Sequence, residues 1–404
     1  MCYNSIMKIA AVICEYNPFH MGHKYQLDKI KKDLGADYII TLMSGDFVER
    51  GEPAVFSKEA RAKISLMNGS DLSLLLPLPY ATGDADLFSF GAVYILNALN
   101  SVDYLVFGAE CDDIDLLKEI AVKLKNSATI DSEVLKSGLK EGLTFAKARA
   151  RLFPEYKDVL DKPNNILAIN YLMTLNELNS KIEPVIIKRK GSAYNSEILE
   201  EKSLPSATAI RSSIKENQDR NNNLTLNKYL PENALSILKS ETPVFPDDFT
   251  DTLMYALLVK KDILNEFNQV SRELSDKIKN NYHDAVSFTL LAESLKTKEV
   301  TRARINRALL HIMLDVKGDN DYFKDLIKNL SYVRVLGFKK ASEGLLKVIG
   351  DSSKLKLLTK IPAVYDSLNK ETKALIDYDV FASTLYDKIA GINTQEFKKQ
   401  LIIV

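Results

Sequence analysis

From residue 8 to about residue 215, short apolar runs alternate with longer amphipathic stretches. The runs fall at 8–16 (KIAAVICEY), 38–43, 72–76, 104–107 and 184–188. Each is bounded by turn residues and short enough to be a buried strand. Between them the spacing predicts helices, among them 24–34, 57–68 and 165–178. Such alternation implies a parallel sheet with helices on both faces. The pattern changes past about residue 211. Residues 217–231 (NQDRNNNLTLNKYLP) are polar, without a stable period, and read as a linker. Beyond them amphipathic helices follow one another, including 251–267, 287–294, 302–316 and 371–390, and few runs alternate with period two. The expected architecture is α/β: a Rossmann-like domain with a parallel sheet over 7–215, a linker over 216–231 and a mostly α-helical domain over 232–404. The first strand begins just after Met7, so Met7 is the expected functional start and the first six residues an extension.

Composition narrows the class. A chain of 404 residues, 46% hydrophobic and 27% charged, suits a globular protein of two or three domains. Lys plus Arg equals Asp plus Glu at 54 each, so no global field favours nucleic acid, although a local basic patch can still bind it. Cys2, Cys14 and Cys111 form no CxxC pair, which points to a reducing compartment and away from a disulfide framework or a zinc site. There is no apolar run of 18 residues and no signal peptide, so the expected location is cytoplasmic, with no membrane partner.

The chemistry concentrates where the first strand ends. Glu15-Tyr16-Asn17-Pro18-Phe19-His20-Met21-Gly22-His23 runs straight into a helix and holds two of the four histidines. A strand ending at the carboxyl edge of a parallel sheet delivers its loop to the crevice where ligands bind. The following helix offers N–H groups and a partial positive charge to phosphate. Gly22 lets a nucleotide lie close to the backbone. His20 and His23 then aim imidazole donors at phosphates whose charge grows during attack at the α-phosphorus. The plainer alternatives are a capping turn with incidental histidines, or metal ligation, for which no matching third ligand lies nearby. A second element is Ser206-Ala207-Thr208-Ala209-Ile210-Arg211. Ser206 and Thr208 can cap a helix or donate to phosphate, and Arg211 shares a face with Thr208 for a β- or γ-phosphate. Alone this is a helix start; together with HxGH it becomes specific.

HxGH followed by S-x-T-x-x-R resembles the adenylyltransferases that share the HIGH-type fold. The fuller string EYNPFHMGH is similar to one narrower family, the tRNA(Met) cytidine acetate ligases. So are SGDFVERGEP at 44–53, FGAE at 107–110, PNNIL at 163–167, Lys188-Arg189, TRARINRALLHI at 301–312 and YVRVLGF at 332–338. The resemblance covers residues 7 to 404 and departs at Asp46, where Asn is expected in many members; this leaves that position's role open. It implies two steps: ATP and acetate give acetyl-adenylate, and the acetyl group then passes to N4 of the wobble cytidine of elongator tRNA(Met). It also implies that Ile13, Cys14, Glu15, Tyr16, Asn17, Pro18, Phe19, His20, Met21, Gly22, His23, Lys24, Tyr25 and Gln26 line the nucleotide. Gly108, Asn164 and Arg189 would join them, with Ser206, Thr208 and Arg211. His20 and His23 are the expected catalytic residues. Asp46, Arg50 and Glu52 sit in a Gly-flanked loop that could gate the site or hold substrate.

Mg2+ is expected with ATP, held mostly by phosphates and water; no protein ligand for a metal and no obligatory protein partner are implied. For RNA the best local feature is KTKEVTRARINR, in which Lys296, Lys298, Arg302, Arg304 and Arg307 face only Glu299, with Arg334, Lys339 and Lys340 in the next basic segment. Such residues neutralise phosphates without reading sequence. Two other readings compete: a small-molecule adenylyltransferase of the kind that serves coenzyme A or NAD synthesis, and a non-catalytic RNA-binding protein.

Overall fold

A computed structural model describes residues 7–127, 153–188, 206–218, 226–298 and 300–404. Its strands are β1 (Ile9–Cys14), β2 (Tyr38–Ser44), β3 (Phe47–Val48), β4 (Glu52–Pro53), β5 (Leu72–Leu76), β6 (Tyr104–Ala109), β7 (Glu183–Lys188), β8 (Tyr332–Phe338), β9 (Lys356–Leu358) and β10 (Ile402–Ile403). Eight form one sheet in the order β10-β8-β5-β2-β1-β6-β7, with β9 beside β8. The run β5-β2-β1-β6-β7 is parallel throughout.

Apolar runs rather than alternating ones mark these strands because both faces of the sheet are covered. Ile9 and Ala11 pack with Leu87, Ile95 and Leu172 on one side. Ala10, Val12 and Cys14 pack with Leu27, Ile64 and Ile210 on the other. Each fully buried side chain of this kind contributes roughly 1.5–3 kcal/mol. The amino edge of the sheet is stapled by three aspartates, each just ahead of a strand. Asp37 Oδ2 accepts the amide of Lys8 at 2.7 Å, Asp71 Oδ2 that of Ile39 at 2.8 Å, and Asp103 Oδ2 that of Ile9 at 2.7 Å. The carboxyl edge opens into loops instead.

The C-terminal half is mostly helical, as expected, yet the sheet does not end at residue 215. Strand β8 pairs antiparallel with β5, from Leu72↔Phe338 to Leu74↔Val335, and β10 extends β8. These strands are too short for a period to show in the sequence. The described part of the expected linker is also packed rather than loose. Leu226, Tyr229 and Leu230 are buried, and the carbonyl of Tyr229 accepts the amide of Met21 at 2.9 Å. Apolar residues set among asparagines make that contact, which a polar average conceals. The helix expected over 251–267 stops at Lys260, and a 3-10 turn over Leu264–Glu266 follows.

A buried charge network joins the two halves. Lys58 Nζ lies 2.9 Å from Asp46 Oδ2, 3.0 Å from Glu59 Oε1 and 3.0 Å from Glu396 Oε1. Ser383 Oγ donates to Asp46 at 2.8 Å, Arg334 pairs with Glu396, and Lys399 reaches Asp387, Glu396 and Glu59. Burial pushes the Asp46 carboxyl up, but Lys58, Lys399 and Arg61 outweigh it and hold it below the usual range. Asp46 is thus an internal tie. Arg334, expected in a basic surface segment, has a side chain only 13% exposed and belongs to the same network.

Candidate active site

The carboxyl ends of β1, β6 and β7 open onto a cavity of about 250 Å³. Tyr16, with φ 48°, turns the chain out of β1 and packs edge-on against Phe19, ring centroids 4.8 Å apart. The loop then enters the helix Met21–Asp33 through His20, its N-cap. His20 Nδ1 accepts the amide of Gly22 at 3.0 Å, and His23 Nδ1 accepts the amide of His20 at 3.2 Å. The rings stack, with centroids 3.7 Å apart. Because each Nδ1 accepts from a backbone amide, the neutral rings carry their protons on Nε2. Two N–H donors on stacked rings are therefore fixed by the backbone at the cavity wall. Gly22 serves this arrangement directly: a Cβ there would stand 2.8 Å from His20 Cε1. The helix amides expected for phosphate are engaged already, Met21 by Tyr229 and Gly22 by His20.

Ser206 Oγ caps the helix Ala207–Gln218 by accepting the amide of Ala209 at 3.1 Å. Arg211 Nη2 donates to Thr208 Oγ1 at 3.2 Å and Nη1 to the carbonyl of Asn17 at 2.9 Å. The two sequence motifs thus meet. Below them Arg61 is fully buried and donates to the carbonyls of Glu15, Ser44, Gly45 and Phe56, which fixes the ends of β1 and β2 beneath the cavity. At the other end Gly108 faces Asn164, whose Nδ2 donates to Glu110 Oε1 at 2.5 Å. Phe107, Leu167, Tyr171 and Ile187 make that end apolar.

Of the expected residues, Ile13, Cys14, Glu15, Tyr16, Asn17, His20, Gly22, His23, Tyr25, Gln26, Gly108, Asn164, Ser206, Thr208 and Arg211 line the cavity. Pro18, Phe19, Met21 and Lys24 do not. Phe19 belongs to the core, and Lys24 pairs with Asp28 at 2.7 Å. A helix turn sends successive side chains in different directions, so a continuous stretch cannot all face one ligand. Arg189 lies outside the described residues, as does Glu299. Cys14 lines the wall, and burial pushes its thiol far above the usual range. Among the described residues no group of three or more His, Cys, Asp or Glu could hold a metal ion.

The cavity also contains residues that the sequence alone does not assign to the nucleotide: Glu49, Arg50, Phe88, Phe107, Leu167, Tyr171, Ile187, Lys188 and Ala207. Glu49 and Arg50 sit at the tip of the β3–β4 hairpin, clamped by the helix Arg302–Met313. Arg307 donates to Glu49 O at 3.1 Å and Oε1 at 2.9 Å, and Asn306 donates to Glu52 Oε1 at 3.0 Å. This corrects two expectations for RNA. Arg307 is buried, 7% exposed, and Arg302 is occupied by Glu293, Asn306 and the carbonyl of Thr289. Arg307 acts inside the molecule, while Arg302, its side chain 31% exposed, is tied down near the surface by Glu293. Lys296 and Lys298 are exposed and Arg304 is half-buried. Glu52 binds Asn306 and Asp46 binds Lys58, so neither lines the cavity.

Fold and cavity together define a HIGH-type nucleotidyltransferase, and the sequence matches the HIGH Nucleotidyl Transferase family model over residues 7–400. The chain is 38% identical over 403 residues to the tRNA(Met) cytidine acetate ligase of Caldicellulosiruptor saccharolyticus, covering 98% of this chain and 96% of that one. It is 37% identical to the ligase of the same name from Clostridium perfringens strain SM101, covering 94% and 95%. The crystal structure of Thermotoga maritima TmcAL bound with alpha-thio ATP superposes with a TM-score of 0.88 at 30% identity, over 98% of this chain and 100% of that one. The chain belongs to the tRNA(Met) cytidine acetate ligase family.

Proposed function

We propose that this protein uses ATP to activate acetate as acetyl-adenylate and transfers the acetyl group to N4 of the wobble cytidine of elongator tRNA(Met). The observation that carries the reading is the pair of Nε2–H donors on His20 and His23 beside Arg211, at the carboxyl edge of a parallel sheet. A carboxylate oxygen of acetate attacks the α-phosphorus and pyrophosphate leaves. The donors oppose the charge that develops on the phosphate oxygens, each worth roughly 2.7–4 kcal/mol where such donors have been removed from other enzymes. The apolar end near Gly108 suits the purine, and Ser206, Thr208 and Arg211 suit the outer phosphates. A Mg2+ ion arriving with ATP would be held by phosphates and water. The mixed anhydride makes the acyl carbon reactive enough for an amine whose lone pair is delocalised into the cytosine ring.

We assign the tRNA phosphates to Lys296 and Lys298, which are exposed, and to Arg304, which is half-buried. Among the described residues no helix is long and apolar enough to cross a membrane, and a tRNA substrate suits the cytoplasm. The clamp of Arg307 on Glu49 favours this reading over a small-molecule adenylyltransferase, because it builds the helical half into the cavity wall. The test supplies purified protein with ATP, labelled acetate and unmodified elongator tRNA(Met). Label in RNA as N4-acetylcytidine, dependent on ATP and acetate, is expected. Pyrophosphate release with another acid and no label in RNA would overturn the substrate assignment.

A further inference from the structure

The cavity wall holds two carboxylates, Glu15 and Glu49, although ATP, acetate and pyrophosphate are all anions. Glu15 is accounted for by the fold, since its Oε1 accepts the amide of Glu49 at 3.0 Å and so props the hairpin. Glu49 is different. Its Oε1 is held by Arg307 at 2.9 Å, while among the described residues its Oε2 takes no hydrogen bond. Its side chain is 21% exposed, at the tip of a hairpin anchored through Gly51 and Glu52. The carboxylate is therefore held through one oxygen, on a residue that lines the cavity. Among the described residues no group of three or more His, Cys, Asp or Glu surrounds it. Of the reactants, only the amine nucleophile carries N–H groups that must be lost.

We infer that Glu49 accepts the proton of the cytidine amine during acetyl transfer, an assignment that rests on the function proposed above. The amine lone pair forms the C–N bond to the acetyl carbon. The acyl C–O bond breaks, AMP leaves with its electron pair, and one N–H proton passes to Glu49 Oε2. Burial pushes the Glu49 carboxyl up, only partly opposed by Arg307, which makes it a stronger base than a carboxylate in water. Arg307 is then a positioning residue.

The full-length protein and its Glu49→Gln and Glu49→Asp variants separate the two steps. The first is read as acetate-dependent ATP–pyrophosphate exchange. The second is read as single-turnover transfer from enzyme-bound acetyl-adenylate to unmodified elongator tRNA(Met), as a function of pH. Gln keeps the acceptor for Arg307 and loses the base. Exchange in Glu49→Gln should stay within about threefold of wild type, while transfer falls about 100-fold or more and loses its acidic limb. Glu49→Asp, displaced by one methylene, should retain an intermediate rate and the acidic limb. A parallel fall of exchange and transfer, or unchanged transfer, would overturn the assignment. Wild-type protein that labels no RNA would instead overturn the function on which it rests.

Discussion

Arg211 Nη1 donates to the carbonyl oxygen of Asn17 at 2.9 Å, bridging 194 residues of sequence. The residue that closes the second motif thus holds the loop of the first, while its other nitrogen stays on Thr208. One guanidinium sets the distance between the imidazole pair and the helix Ala207–Gln218, which no pair of local motifs could do alone.

Lysine in place of Arg211 keeps a charge but cannot span both acceptors. Arg211→Met should remove charged hydrogen bonds worth roughly 1.5–3 kcal/mol each. The KM for ATP should then rise about ten- to hundredfold. Arg211→Lys should fall between, and ATP titration of acetate-dependent pyrophosphate exchange checks both.

His20→Ala and His23→Ala should each lower that exchange about 10²–10³-fold. The double variant should lose less than the product, because each ring is oriented through the other's backbone contact. His20→Ala also removes an N-cap, so its unfolding midpoint should drop by the equivalent of about 1 kcal/mol. A product of rate losses without coupling would argue that the stacked pair does not act as a unit.

Sheet and motifs are legible in the sequence for a physical reason. Strands covered on both faces read as unbroken apolar runs, and HxGH packs its geometry into four adjacent residues. Arg307, Arg334 and Asp46 are misjudged or left open there because charge in a sequence says nothing about what faces it. The partners of Arg307 and Arg334, Glu49 and Glu396, lie 258 and 62 residues away. One signal is present for the hairpin clamp: Leu310 and Met313 stand off the stripe of Ile305, Ala308, Leu309 and Ile312, so the helix Arg302–Met313 is apolar on more than one face and leaves Asn306 and Arg307 little solvent to face. Strands β8 and β10 offer less, since Arg334 and Gly337 interrupt the apolar run of β8 and β10 has only two residues.

Gly51 has φ 73°, and a Cβ on it would lie 2.2 Å from the backbone nitrogen of Arg307. Gly51→Ala should therefore cost at least about 1–3 kcal/mol and push the hairpin off its helix. A lower unfolding midpoint together with slower acetyl transfer is expected.

The basic run divides into two exposed lysines with a half-buried Arg304, and an internal Arg307. Replacing Lys296, Lys298 and Arg304 together by Ala should weaken tRNA binding and flatten its salt dependence, leaving pyrophosphate exchange intact. Arg307→Ala should instead lower the unfolding midpoint, since it leaves the partly buried Glu49 without its cation and frees the hairpin tip from the helix. Filter binding across a salt series and thermal unfolding separate the two groups.

Asp379 Oδ1 accepts the amide of Leu78 at 2.7 Å, and burial pushes its carboxyl up to about 7. Its folded value thus lies above the roughly 3.9 of an unfolded aspartate. The associated stability is fully present below about pH 4 and is lost as pH rises through 7. Asp379→Asn should remove that loss and stabilise the protein at pH 8 by on the order of a few kcal/mol, with little difference at pH 4. Parallel unfolding curves for the two proteins across this range would refute the assignment.

Lys58 leaves the ribosome 338 residues before Glu396, the carboxylate that it meets in the finished interior. At about 5–20 residues per second, that interval is roughly 17–70 s. An ammonium cannot enter a dry core while a partner is missing without a large desolvation cost. The core around Lys58 and Asp46 is therefore completed only after the described residues that line the cavity, none beyond Arg211, have been made.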